Sequence, residues 1–126
     1  MITKLCIFDI IDNTGGFFAK FIGIPGFVKK KTIGIGDLIT GSIMECTSQN
    51  KKKNLKVEKG SIYNFLIVQQ KNFYSRSDGS FIKMDKNSVI IINKKFIPRG
   101  TRITKPIIKE LRKKFIKVVS LACYIL

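Results

Sequence analysis

The sequence contains no histidine and no tryptophan, and it has few acidic residues and few cysteines. Without histidine, the chain lacks both the commonest general base and the commonest metal ligand of proteins. Its 8 acids stand mostly alone, so a metal site built from carboxylates is not expected. The 3 cysteines, Cys6, Cys46 and Cys123, are far apart, which predicts free thiols in a reducing compartment. These absences argue against an enzyme and against a bound cofactor.

Long apolar runs are also absent. No stretch approaches the ~18 apolar residues that a membrane-spanning helix needs. The first residues run directly into a strand pattern, so we expect no leader segment.

Positive charge is the main feature that is present. Lys and Arg number 24 against 8 acids, a net charge of +16, while 44% of the residues are hydrophobic. That apolar fraction predicts a folded core, and the charge indicates a polyanionic partner. The basic clusters are spread along the chain, which favours nucleic acid over a membrane surface, because only the last segment resembles a basic amphipathic helix.

Apolar runs of strand character are separated by turn residues at intervals of roughly ten residues, a pattern typical of a small closed barrel. The predicted strands cover residues 5–11, 17–24, 38–44, 61–69, 81–84 and 88–92. Asp78-Gly79 predicts a hairpin, and the polar stretch 45–60 predicts a projecting loop or ribbon.

The pattern changes after Asn93. Pro106 suits the first turn of a helix, and the residues that follow form one apolar stripe. The stripe consists of Ile108, Leu111, Phe115, Val118 and Val119. We therefore predict a single domain that is mainly β, with a barrel over residues 1–93 and a short helical C-terminal lobe over residues 94–126.

Two motifs could suggest chemistry but are interpreted as turns. Gly34-Ile35-Gly36-Asp37 lacks the further glycine of a dinucleotide fingerprint, and we expect a tight turn with positive φ at a glycine. Asp12-Asn13-Thr14-Gly15 has the residue types that bond their own backbone in turns. After it, Phe17 and Phe18 are adjacent on a strand, so one ring should point inward and the other outward.

Several motifs together resemble one known family, the universal large-subunit ribosomal protein numbered fourteen. The resemblance extends from Met1 to Ala122. The residues that carry it are Asp12-Asn13-Thr14-Gly15, Gly34-Ile35-Gly36-Asp37, Arg76-Ser77-Asp78-Gly79-Ser80, Asn87, Gly100-Thr101-Arg102-Ile103, Pro106, Glu110-Leu111-Arg112 and Lys117-Val118-Val119-Ser120-Leu121-Ala122.

The resemblance implies a five-stranded β-barrel with a projecting β-ribbon and a small helical C-terminal lobe. It implies a structural constituent of the large ribosomal subunit that binds large-subunit rRNA near the intersubunit interface and supports translation. The implied neighbours are large-subunit proteins three and nineteen and small-subunit rRNA across a bridge. A ribosome-silencing factor would dock on the positions that are here Thr101, Arg102 and Lys117.

RNA binding is assigned to basic residues in loops and in the C-terminal lobe. These residues are Lys29, Lys30, Lys31, Lys51, Lys52, Lys53, Arg76, Arg99 and Arg102. The alternative function is a free single-stranded nucleic-acid-binding barrel of the chaperone type, which would present one continuous aromatic and basic face.

Two departures from the family pattern bear on the compartment. Phe17 and Phe18 stand where the family usually has basic residues, and the 45–60 loop is longer than its bacterial counterparts. With a composition that suggests an AT-rich genome, these departures favour a mitochondrial ribosome over a reduced plastid or a bacterial cytoplasm.

Overall fold

Five strands close into a barrel in the computed structural model, which describes residues 6–24, 33–46 and 57–126. The strands are β1 (Ile7–Ile10), β2 (Gly16–Gly23), β3 (Leu38–Cys46), β4 (Ile62–Gln69) and, last in the chain, β7 (Ser88–Ile92). Their order around the barrel is β1-β2-β3-β4-β7. β1 and β7 pair in parallel, and the other neighbours are antiparallel. The predicted mainly β fold with a closed barrel is confirmed.

A two-stranded hairpin stands apart from the barrel sheet. It consists of β5 (Tyr74–Ser75) and β6 (Phe81–Ile82). Gly79 in its turn has φ of 92°, a conformation that glycine adopts without strain. The hairpin predicted from Asp78-Gly79 is therefore confirmed. Most of the predicted 45–60 ribbon lies outside the described residues.

Strand β7 is buried on both faces and separates two hydrophobic cores. Val89 and Ile91 point into the barrel, whereas Ile90 and Ile92 point away from it. The barrel core consists of Phe8, Ile10, Ala19, Phe21, Ile33, Ile39, Ile43, Val57, Phe65, Ile67, Val89 and Ile91. The outer core consists of Ile11, Leu66, Val68, Met84, Ile90, Ile92, Ile103, Ile107, Ile108, Leu111, Phe115, Val118 and Val119. The C-terminal segment, residues 94–126, thus covers the outer face of β4 and β7.

The predicted helical character of the C-terminal segment is confirmed, but the helix does not begin at Pro106 and is not continuous. The segment instead contains a 3-10 helix (Lys109–Lys113) and the short α-helix α1 (Ile116–Leu121). Ile107 is extended, because its N–H donates to the carbonyl of Tyr124 at 3.1 Å and its carbonyl accepts from Leu126 N at 2.8 Å. Phe115, with φ of −122° and ψ of 59°, separates the two helices.

The predicted anchors of this segment are confirmed. Ile108, Leu111 and Phe115 are buried against the outer face of the barrel. Lys109, Arg112 and Lys113 are exposed on the other side. The spacing of apolar residues therefore predicted the buried face correctly although the helix is broken.

The prediction that one of Phe17 and Phe18 points inward is also wrong, because both rings are exposed. The register between β2 and β3 shifts on both sides of Phe18, as in a β-bulge. A bulge places two consecutive residues opposite one, so the simple alternation of faces fails there. Alternation resumes with Ala19 and Phe21, which are buried in the barrel core.

The Gly34–Asp37 turn has the predicted structural role. Gly36 has φ of 90°, and Asp37 Oδ2 accepts a hydrogen bond from the N–H of Gly34 at 2.8 Å. This turn leads directly into β3.

Candidate nucleic-acid interface

The C-terminal segment, residues 94–126, carries more than half of the net positive charge of the chain. It contains ten basic residues and one acid, Glu110. The basic residues are Lys94, Lys95, Arg99, Arg102, Lys105, Lys109, Arg112, Lys113, Lys114 and Lys117. All of them are exposed except Lys105, which is partly exposed. Because the apolar side of the segment is fixed on the barrel, its charges are held on the outer surface, where a polyanion can reach them.

The 12–15 turn fastens the start of this segment to the barrel. Asn13 Oδ1 accepts from the N–H groups of Thr101 at 2.8 Å and Arg102 at 3.2 Å, and Asn13 Nδ2 donates to Thr101 Oγ1 at 2.7 Å. Gly100 packs so closely that an added Cβ would lie 2.7 Å from Asn13 Oδ1. Sequence reasoning identified this turn but missed that Asn13 positions the predicted docking residues, since the two motifs are about ninety residues apart.

Asp12 links the same turn to β7. Its Oδ1 accepts from Thr14 Oγ1 at 2.6 Å and from Thr14 N at 3.3 Å, and its Oδ2 accepts from Ile91 N at 3.0 Å. Burial raises the pKa of this carboxyl above its usual 3.8, while the hydrogen bonds from Thr14 and Ile91 act in the opposite direction. These contacts account for Asp12 as a structural residue, in agreement with its interpretation as a turn residue.

The three docking positions named by the resemblance, Thr101, Arg102 and Lys117, are all exposed on the C-terminal segment. Ile103, which follows Arg102, bridges to Ala122 at the end of α1, the helix that carries Lys117. The backbone before Ile103 and α1 are thus neighbouring parts of one surface. Asn13 Nδ2 donates to the Thr101 hydroxyl, and the side chain of Arg102 is exposed.

Arg76, predicted to bind RNA, has partners within the chain. Its Nε lies 2.6 Å from Glu110 Oε1, and only 15% of its side chain is exposed. Its Nη2 also donates to the carbonyl of Leu126. The guanidinium therefore joins the hairpin to the 3-10 helix and the last residue of the chain. RNA binding by Arg76 stays a prediction.

The other predicted RNA-binding residues divide into two groups. Arg99 is exposed, and its guanidinium carbon lies 4.9 Å from the centre of the Tyr63 ring. The lysines of the two loops lie outside the described residues, and their role stays a prediction. These are Lys29, Lys30, Lys31, Lys51, Lys52 and Lys53.

Exposed aromatic rings accompany the charge on the barrel and on the hairpin. The rings of Phe73 and Phe81 pack edge to face, with 6.1 Å between their centres. Lys83 Nζ lies 5.2 Å from the centre of the Phe73 ring. Phe17 and Phe18 form a second exposed pair at the bulge of β2. Aromatic rings near cations suit contacts with nucleobases.

Neither a metal site nor a membrane-spanning helix is found among the residues that the structure describes. Across residues 6–24, 33–46 and 57–126, no cluster of cysteine and acidic side chains has the grouping that a metal ion would need. No helix among those residues is long and apolar enough to cross a membrane.

Comparison with known protein families gives a match that spans the chain. The family model described as ribosomal protein L14p/L23e matches residues 1–126. The family consists of structural proteins of the large ribosomal subunit, which associate with rRNA and other ribosomal proteins, and it is not a family of enzymes. The closed barrel, the basic C-terminal segment and this match lead to one conclusion: the chain belongs to the ribosomal protein L14p/L23e family.

Proposed function

We propose that this protein binds large-subunit rRNA directly and that its C-terminal segment forms the main contact surface near the intersubunit interface. The observation that carries the proposal is the positive charge of that segment, which contains ten basic residues and one acid. That acid, Glu110, is paired with Arg76. Phosphate is the ligand class that such a surface attracts, and no reading of base sequence is needed for it.

The finer partners follow from the resemblance and from the exposure of the docking positions. Large-subunit proteins three and nineteen are the proposed protein neighbours, and small-subunit rRNA is the proposed partner across a bridge. Thr101, Arg102 and Lys117 are the proposed contact for a ribosome-silencing factor. Arg102 suits such a contact because a guanidinium can grip a carboxylate or phosphate with two parallel hydrogen bonds.

A mitochondrial ribosome is the proposed location, with a plastid or bacterial ribosome as the alternatives. Two observations support this location: the amino-acid composition suggests an AT-rich genome, and phenylalanines stand at positions 17 and 18. Sedimentation of the protein with ribosomal particles from purified mitochondria would support this location, whereas sedimentation only with plastid or cytosolic particles would contradict it.

The test of RNA binding is the salt dependence of affinity for a large-subunit rRNA transcript. Each neutralised phosphate contributes a slope of about 0.7 to 0.9 in the plot of log affinity against log salt. The triple variant Lys109→Gln, Lys113→Gln, Lys117→Gln should lower that slope by about two to three. A matched variant, Lys59→Gln, Lys71→Gln, Lys83→Gln, removes the same charge from the barrel and hairpin.

The two variants separate the possible outcomes. A larger loss of slope in the C-terminal variant supports the proposed surface. Equal losses would show that phosphate contacts surround the whole body and would contradict the special role of residues 94–126. A wild-type slope near zero would contradict direct rRNA binding through phosphate.

A further inference from the structure

An open cleft of about 420 Å³ lies on the outside of the barrel beside the bulge of β2. The aromatic residues Phe17 and Phe18 line it, together with Lys86 and Lys105. Phe17 is 51% exposed and Phe18 is 37% exposed, so the two rings present a wide aromatic area to the solvent. The volume falls within the usual range of small-ligand sites.

Separate parts of the chain build this cleft and fix its shape. Phe18 on β2 is the register partner of Asp9 on β1. Asp9 Oδ2 lies 3.5 Å from Lys86 Nζ and 3.8 Å from Lys105 Nζ, so one carboxylate holds both lysines at the cleft. Thr104 donates from its N–H and its hydroxyl to the carbonyl of Ile11, at 3.0 and 2.9 Å. These bonds fix the backbone that presents Lys105.

The chemistry of the lining matches a nucleotide in two respects. An aromatic ring accepts any base on its face, because every base has a π-face of its own. Two lysines against one aspartate leave an excess of positive charge beside the rings, where a phosphate would lie. The simple strand pattern would have buried one of the two phenylalanines, and the bulge is what brings both to the surface.

Charge complementarity favours RNA over a protein segment as the occupant. A protein partner would cover the rings equally well, but the cleft belongs to a chain of net charge +16 and has two ammonium groups at its margin. We infer that Phe17 and Phe18 form a stacking site for an unpaired nucleobase of RNA, with Lys86 and Lys105 at the adjoining phosphate. This inference rests on the RNA binding proposed above and names a further contact for it.

The test uses the full chain and a short single-stranded RNA that carries 2-aminopurine, whose fluorescence falls when the base stacks. The double variant Phe17→Ala, Phe18→Ala removes both rings and no charge. Its affinity should fall by about five- to a hundredfold, with the salt slope unchanged and the quenching lost. Ile22→Ala is the matched control, because Ile22 is another exposed apolar residue of β2, and it should leave both readouts unchanged.

A second pair of variants separates stacking from apolar contact. Phe17→Leu, Phe18→Leu keeps apolar bulk without aromatic faces, so it should lose affinity and quenching as the alanine variant does. Lys86→Gln, Lys105→Gln should lower the salt slope and retain the quenching. Melting temperatures of all variants would show that the fold is kept.

The outcomes that overturn the inference differ from those that overturn RNA binding. Steep salt-dependent binding by the wild type, with the alanine variant within about twofold of it, would refute the stacking site and leave phosphate binding intact. Full affinity of the leucine variant would indicate an apolar contact, as a protein segment would make. Failure of the wild type to bind any RNA would contradict the proposed function itself.

Discussion

The barrel core and the outer core share strand β7 but differ in how the chain builds them. The barrel core is assembled mainly from inward side chains of paired strands, and Ile33 and Val57 join it from the segments before β3 and β4. The outer core is covered by a segment that contains two short helices and isolated β-bridges. Hydrogen bonds between Asn13 and the residues Thr101 and Arg102 attach this segment to the barrel. The excess of positive charge is concentrated in the covering segment, because residues 94–126 contain ten basic residues and a single acid. Regular pairing thus builds the barrel, and the irregular covering segment carries the surface that we propose for rRNA binding.

The largest expected effects come from the two neighbours on β7 that point into different cores. Ile91→Ala opens a cavity in the barrel core, and Ile90→Ala opens one in the outer core. Each should lower the free energy of unfolding by about 2–5 kcal/mol, because both side chains are almost completely buried. Urea denaturation measures both losses.

Hydrogen exchange then distinguishes the two cores. Ile90→Ala should speed exchange of the Ile103 and Ile107 amides, which lie in the covering segment, more than that of the β4 amides. Equal acceleration throughout the molecule in both variants would show that the cores unfold only together.

The next largest effect is expected where the covering segment meets the barrel. Gly100→Ala would place a Cβ 2.7 Å from Asn13 Oδ1. The Asn13 side chain would have to shift, which would disturb its hydrogen bonds with Thr101. We expect a loss of about 1–3 kcal/mol, as in other overpacked sites. Gly23→Ala on β2 is the control, because its added Cβ would meet nothing within 4 Å. Similar losses in both variants would contradict the close packing at Gly100.

A smaller, pH-dependent effect is expected at Asp12, which connects the turn with β7. Burial holds its pKa in the folded state above the usual 3.8, so the folded state binds this proton more tightly than the unfolded state. The stability contributed by Asp12 is therefore present below pH 3.8 and is lost as the pH rises through the raised pKa. The difference in unfolding free energy between wild type and Asp12→Asn should shift against the wild type over that window.

Asp78 supplies a control of opposite sign. Hydrogen bonds from Ser80 lower its pKa below 3.8, so its contribution is present above that pH and lost as the pH falls. Denaturation of wild type, Asp12→Asn and Asp78→Asn between pH 3 and 7 would measure both slopes. A rising contribution from Asp12 with pH would contradict the dominance of desolvation.

The smallest change in stability is expected from Arg102→Glu, because Asn13 binds the backbone of this residue and its side chain is exposed. Melting temperature and incorporation into the large subunit should stay unchanged, while subunit joining or factor docking should weaken through charge reversal. Arg102→Lys keeps the charge without the bidentate geometry and should have an intermediate effect. Loss of melting temperature and incorporation together with joining would make Arg102 structural.

The sequence predicted regular structure well because strand patterns depend on neighbouring residues. The bounds of β7 agree with the predicted residues 88–92, the turn at Gly36 has the expected positive φ, and the hairpin predicted at Asp78-Gly79 is present. Two errors have long-range causes. The bulge at Phe18 depends on pairing with β3, and the break after the 3-10 helix accompanies pairing of Ile107 with the last residues. Neither partner is close in the sequence.

The candidate site was predictable in composition but not in arrangement. The excess of positive charge and the motifs shared with the L14p/L23e family predict a nucleic-acid partner from the sequence alone. The sequence could not show that Glu110 forms an ion pair with Arg76. It also could not show that Asn13 accepts hydrogen bonds from the backbone N–H groups of Thr101 and Arg102. Such contacts join residues that only the folded chain brings together.

The central claim, that this chain is a large-subunit protein bound to rRNA, is tested most directly by sedimentation of native particles from the source. The account predicts that the protein migrates with the large subunit at moderate salt and dissociates from it as the salt concentration rises, because the proposed contacts with phosphate weaken with salt. Nuclease digestion of the rRNA should release it. Migration of the protein as a free chain or on non-ribosomal RNA, with intact large subunits lacking it, would contradict the account.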